Sequence, residues 1–232
     1  MGVESWLFTA TAVAIPAILA ITLHEAAHGW AAWKLGDDTA KVLGRVTFNP
    51  LRHIDPFGTV ILPALMYFTT GFVFGWAKPV PVNFNRLNNP RMDMVKVAIA
   101  GPAINFVLAL VSAWLWGFLP ADGLGGGGPT VGTWAKAALE VSVFVNVILM
   151  VFNLIPLPPL DGGRVAVGLL PDALAVPLAR MERVGLLLLI GVLFLLPMLA
   201  REFGYDLNLL GWILGPPVDA VIEVIRVLTG ND

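Results

Sequence analysis

The sequence predicts an all-α polytopic membrane protein with a small membrane-associated β element, and three observations carry that expectation. First, 57% of the 232 residues are hydrophobic and only 13% are charged, with a mean hydropathy of +0.81, whereas soluble domains carry about 25% charged residues. A soluble domain of this length exposes about a quarter of its surface, too much for a chain so apolar. Second, apolar stretches recur at close to the ~20 residues that a helix needs to cross the hydrocarbon. Third, two polar connections contain β-compatible runs, Val42 to Phe48 and Ala77 to Asn83.

Five to six apolar segments follow one another. The first, Trp6 to Trp33, is too long for the h-region of a cleaved signal and reads as a membrane helix. The second, Phe57 to Trp76, is interrupted by Pro63, Gly71 and Gly75. Met94 to Leu119 and Trp134 to Ile155 are the third and fourth, and Val184 to Leu199 is the fifth. A weaker sixth, Leu207 to Leu228, is broken by Gly215-Pro216-Pro217 and carries Asp219, Glu223 and Arg226, so it reads as a short span followed by an amphipathic surface helix. No repeat and no separable soluble part divides the chain. Residues 1–232 read as one membrane-embedded domain, with a core over about 6–170 and C-terminal helices over 184–228. Trp6, Trp33, Trp76 and Trp134 fall at expected membrane–water interfaces, where tryptophan belts form.

Charge orients these segments. Residues 34–56 carry Lys34, Lys41, Arg45 and Arg52, and residues 77–93 carry Lys78, Arg86 and Arg91, whereas the Gly-rich loop 120–133 has no Lys or Arg. The positive-inside rule places the two basic connections and the Arg164–Arg183 region in the cytoplasm and the Gly-rich loop outside. Both flanks of the second segment are then on one side. A re-entrant hairpin satisfies that, since irregular backbone at membrane depth is tolerated where protein surrounds it; a complete crossing is the alternative. The net charge of -2, with no basic run, gives no sign of nucleic-acid binding.

The chain has no cysteine, so disulfides and thiolate ligands are excluded, and its only histidines are His24, His28 and His53. His24-Glu25-Ala26-Ala27-His28 is an H-E-x-x-H motif inside an apolar helix. Four residues apart on a helix means one face, so both imidazoles can reach one metal ion, with Glu25 on the same turn beside a metal-bound water. Nitrogen and oxygen ligands of this kind suit one Zn2+ with an open position. An ionisable residue within a span is costly and marks function.

A catalytic zinc site needs a third protein ligand. Asp161 directly follows the fourth segment. If the first and fourth segments both start outside, Asp161 and the two histidines arrive at the same depth. His53 and Glu140 are the rivals, Glu140 lying nearer the outer end of its segment beside Lys136.

These residues resemble the site-2 protease family of intramembrane zinc metalloproteases, in its small branch without a PDZ domain. The likeness rests on the H-E-x-x-H at 24–28, on Asn153-Leu154-Ile155-Pro156-Leu157-Pro158-Pro159-Leu160-Asp161-Gly162, matching N-x-x-P-x-P-x-x-D-G, and on Gly101-Pro102-Ala103-Ile104-Asn105, matching G-P-x-x-N. Asn49 to Pro56 adds to it, and the whole covers about residues 15–170. The resemblance implies zinc held by His24, His28 and Asp161, with Glu25 as general base and acid. It implies that Asn153, Pro156 and Pro158 bind an unwound substrate segment, and that the partner is a single-span or signal-peptide-like membrane protein in the lipid bilayer, cut by regulated intramembrane proteolysis. The expected location is a prokaryotic cell membrane, with the active site towards the cytoplasm. His53 and Asn105 are candidates for groups that orient the ligands. A membrane metal transporter or metal sensor using the same residues without proteolysis is the alternative function.

Overall fold

The computed structural model describes residues 3–62, 64–66, 75–120 and 130–231. Pro63 and Gly71 of the second apolar segment, and most of the Gly-rich loop, lie outside these residues. Among the described residues, four helices are long and apolar enough to cross a membrane: Trp6–Lys34, Pro90–Gly117, Val131–Asn153 and Val184–Glu202. The protein is an integral membrane protein. The principal elements are α1 (Val3–Lys34), α2 (Pro90–Gly117), α3 (Val131–Asn153), the short α4 (Asp161–Leu169) and α5 (Asp172–Arg180), α6 (Val184–Glu202) and α7 (Leu209–Thr229).

Helices α1, α2 and α3 pack on one another, and α4 packs on α2. Small residues make this close approach feasible: Ala20 and Ala32 of α1 and Ala98 and Ala109 of α2 are buried. Lipid is as apolar as leucine, so membrane helices associate through such packing and through hydrogen bonds rather than by hiding leucines. Three contacts fix the directions. The indole N–H of Trp134, early in α3, donates to Thr11, early in α1 (3.0 Å). Deeper in, Asn105 of α2 donates to the carbonyl of Ala20 (3.4 Å) and to Asn146 of α3 (2.7 Å). Val97, earlier in α2, meets His28, later in α1 (2.7 Å). Hence α1 and α3 run parallel and α2 antiparallel between them.

No strand occurs among the described residues, which corrects the expected β element, and the backbone donors show why. After the short helix Thr39–Val42, the N–H of Arg45 turns back to the carbonyl of Ala40 (2.8 Å) across Gly44, whose φ of 65° lies in the left-handed region. The donors of Val42–Arg45 are thereby spent on the preceding turn. In 77–83, Pro79 and Pro81 have no N–H to offer a ladder. Three of the remaining donors go elsewhere: Lys78 to the carbonyl of His53 (2.9 Å), Val80 to the Glu25 carboxylate (2.8 Å) and Asn83 to Asp37 (2.6 Å).

The N–H of Trp76 donates to the carbonyl of Gly58 (3.0 Å), and Thr59 Oγ1 donates to the carbonyl of Trp76 (2.9 Å). The chain thus leaves and returns at one point across the second apolar segment. At the C-terminus, α7 runs unbroken through Pro216 and Pro217 and packs on α2 and α3 through Val218 and Ile225. The expected break at Gly215-Pro216-Pro217 is absent, because the packed turns on either side hold the helix through the lost hydrogen bonds.

Candidate metal centre

Three buried side chains from two distant stretches converge where α1, α2 and α4 meet. His24 Nε2 and His28 Nε2 are 3.0 Å apart, and each lies 3.2 Å from Asp161 Oδ2. The two imidazoles come from one face of α1, as i, i+4 spacing dictates. Asp161 is the first residue of α4, after the turn that ends α3. The parallel run of α1 and α3 is what brings it to their depth.

The second nitrogen of each ring fixes what the first presents. His28 Nδ1 lies 2.7 Å from the carbonyl oxygen of Val97, which can only accept, so Nδ1 carries the proton. His24 Nδ1 lies 2.5 Å from Asn105 Oδ1, whose amide is oriented by donating to Ala20 and Asn146. In the neutral rings both Nε2 atoms then present lone pairs to each other and to a buried carboxylate oxygen that has no hydrogen-bond partner. Three lone-pair donors crowded on one point repel unless a cation lies among them. Their separations match the ~3.3 Å edge of a tetrahedron of ligands set ~2.0–2.1 Å from zinc. The donor set fits one zinc ion.

Glycines keep this space open. A Cβ on Gly101 would lie 2.4 Å from His28 Nε2 and 2.6 Å from His24 Nε2, so any side chain there would fill the point of convergence. A Cβ on Gly162 or Gly163 would strike backbone of Leu154 or Pro158 at 2.2 Å. These two glycines let the start of α4 press against the 154–158 turn and so set the position of Asp161. The Pro158–Pro159 bond in that turn is cis.

Asp161 lies in the first turn of α4, where the helix dipole favours its charged form.

Glu25 lies between the two histidines, and its Oε2 accepts the N–H of Val80 (2.8 Å). Val80 is the sole residue of 79–81 with an N–H, so the flanking prolines leave one donor, and it is aimed at Glu25. Val80 itself is seated by Gly29 of α1, where a Cβ would come within 3.1 Å of it.

The other sequence candidates fall further out. His53 is buried away from the cluster, its Nε2 3.1 Å from the carbonyl of Thr47 and its own carbonyl holding Lys78. Glu140 is exposed on α3. Asn153 Nδ2 donates to the carbonyl of Leu149 on its own helix (3.0 Å), Pro156 is exposed, and Pro158 is buried beside Gly163. Asn105 is fully buried and holds His24 directly.

Behind Asn105 runs a chain that sequence reasoning missed. Asn146 donates to the carbonyl of Ser142 (2.8 Å), and Ser142 Oγ pairs with Ser112 Oγ (2.8 Å). The available signal was an asparagine amid the apolar α3. Its register on Asn105 follows from helix packing, which one sequence does not show.

A bundle of membrane helices carrying a buried His-His-Asp cluster with a glutamate beside it defines a class: membrane-embedded metallohydrolases. The chain belongs to peptidase family M50, the site-2 protease family, whose description matches residues 11–131 and 126–198. Among curated proteins it is similar to "Putative zinc metalloprotease YwhC" of Bacillus subtilis, with 39% identity over 184 residues, 79% of this chain and 80% of that one. It is also similar to "Putative zinc metalloprotease Rip2" of Mycolicibacterium smegmatis, with 31% identity over 192 residues, 80% of this chain and 67% of that one. No solved structure matches it.

Proposed function

We propose that the protein is a zinc-dependent endopeptidase that cuts membrane-protein substrates within their transmembrane segments, with the site open to the cytoplasmic side of a prokaryotic membrane. The observation that carries this reading is the convergence of His24 Nε2, His28 Nε2 and Asp161 Oδ2 within 3.2 Å of one another beside Glu25. Those three side chains would hold the ion. Zinc bound there supplies Lewis acidity, which polarises a peptide carbonyl and lowers the pKa of water towards about 7.

The chain's own residues do the rest. With Oε2 held by Val80, Glu25 keeps Oε1 for the attacking water; it takes the water's proton and returns it to the leaving amine. Asn105 and the Val97 carbonyl keep both rings aimed inward. A substrate helix must unwind before cleavage, because its carbonyls are tied up in its own hydrogen bonds. Asn153 and the Pro156–Pro158 turn, just ahead of Asp161, would take the extended strand. The return of the chain at Gly58 and Trp76 favours a re-entrant second segment over a complete crossing. Basic loops then lie on the side where α1 ends, which supports a cytoplasmic site.

The test is cleavage of a co-reconstituted single-span substrate. Glu25→Gln should retain zinc and fold but lose cleavage, and Asp161→Asn should lose both zinc and cleavage. Cleavage by both purified variants would refute the assignment, and metal flux without cleavage in the native protein would favour transport.

A further inference from the structure

We propose that the cleft between loop 43–54 and the 78–81 segment binds the phosphate headgroup of an anionic phospholipid. The cleft has a volume of about 490 Å³ and is lined by Arg45, Arg52 and Lys78 together with Leu43, Leu51 and Ile54. No acidic residue lines it, and none of the three cations has a carboxylate partner among the described residues.

Arg45 is the telling member. It is only 8% exposed, yet the partners of its guanidinium are two carbonyls, of Lys78 (2.7 Å) and Pro79 (3.4 Å), and its Nε has none. A buried guanidinium without a counter-charge is costly, and guanidinium geometry suits phosphate. An anion in the cleft would offset the charge of Arg45 while Arg52 and Lys78 close on it from the exposed side.

Depth and shape select a lipid as the source of that phosphate. Helix α1 has 32 residues, about 48 Å of helix against ~30 Å of hydrocarbon, so its last turn and a half lies among the headgroups. The cleft is at that level, because the glycine at 29 abuts Val46 and Val80, next to Arg45 and Pro79. Leu43, Leu51 and Ile54 are exposed around the cations. An apolar rim is of no use to free phosphate, but it suits the glycerol and first methylenes of a lipid whose headgroup meets the cations.

The experiment uses the full-length protein in neutral detergent and native mass spectrometry. The probes are dioleoyl-phosphatidylglycerol, dioleoyl-phosphatidylcholine, glycerol phosphate and a soluble acidic peptide. Phosphatidylglycerol should be retained in preference to the other three. Removing the exposed charges one at a time, as Arg52→Gln and Lys78→Gln, should weaken retention about fivefold each. Arg201→Gln, on the distant end of α6, should leave it unchanged. Arg45→Gln should weaken it further, and the two exposed substitutions keep the test valid if that variant does not fold. Equal retention of both lipids, tighter binding of glycerol phosphate or peptide, or loss of retention in Arg201→Gln to the same degree would overturn the proposal.

Discussion

Helices α2 and α6 are both apolar enough to cross a bilayer, yet they are built on opposite plans. Most buried positions of α2 are small or polar, including Gly101, Asn105, Ala109, Ser112 and Ala113. Its large apolar side chains, such as Val107, Val111 and Trp114, are exposed. In α6 most positions are leucine, valine or isoleucine, and Leu187 is 71% exposed while Leu189 and Leu193 are buried. The difference separates two jobs that hydropathy alone merges. A helix that meets lipid on most of its surface needs mainly to be apolar. A helix that builds a site must give up bulk where its neighbours approach and spend polar groups on them, because an unpaired amide in hydrocarbon is costly.

That contrast sets the order of effects expected from substitutions. The largest is expected at Gly101. Gly101→Val should abolish zinc retention while leaving α2 helical, read by metal content and circular dichroism, since the new side chain fills the point where the ligands converge. Zinc bound as in the native protein would show that the histidines are not the ligands.

Next in size is Asn146, which acts on zinc through Asn105 and His24. Asn146→Leu should weaken zinc binding roughly 10-fold or more, the scale seen when groups orienting metal ligands are removed. Asn146→Gln or Asn146→Ser should recover part of that loss, measured by competition with a chelator. Equal losses in Leu and Ser variants would mean that packing rather than the amide matters.

A third effect concerns the connection beyond α1. Asp37 accepts N–H groups from Asn83 (2.6 Å) and Thr39 (3.1 Å) and also the Thr39 hydroxyl. Burial works to raise its carboxyl, but these bonds and Arg86 outweigh it and lower the pKa. A carboxyl lowered on folding stabilises the protein at neutral pH, and that contribution is lost as pH falls through the folded pKa. Asp37→Asn should therefore cost about 1–3 kcal/mol near neutrality, and the gap to the native protein should close in acid. A gap independent of pH would contradict the assigned role.

The smallest effect belongs to α6. Leu187→Ala should change thermal stability in detergent by no more than about 0.5 kcal/mol, as for surface positions elsewhere. A large loss would mean that α6 is packed against a partner rather than lipid.

The sequence made some of this legible for a clear reason. The helical period puts His24 and His28 on one face whatever surrounds them, and counting segment ends places Asp161 at their depth. Thr11 against Trp134 is the structural counterpart of that count. What stayed hidden depends on contacts between segments. The reason for glycine at 101 is visible only once α2 crosses the imidazoles, and the hold of Asn146 on Asn105 only once α2 and α3 are in register. The 77–83 run has a strand's composition, but two of its N–H groups are claimed by carboxylates far off in the chain, Glu25 and Asp37. The prolines in α7 mislead in a similar way, since tertiary packing carries the helix past them.

The most direct measurement is an anomalous difference map at the zinc edge from crystals of the full-length protein. One peak should lie ~2 Å from His24 Nε2, His28 Nε2 and a carboxylate oxygen of Asp161. A zinc peak bound away from Asp161, or coordinated by Glu140 or His53 in its place, would contradict the account.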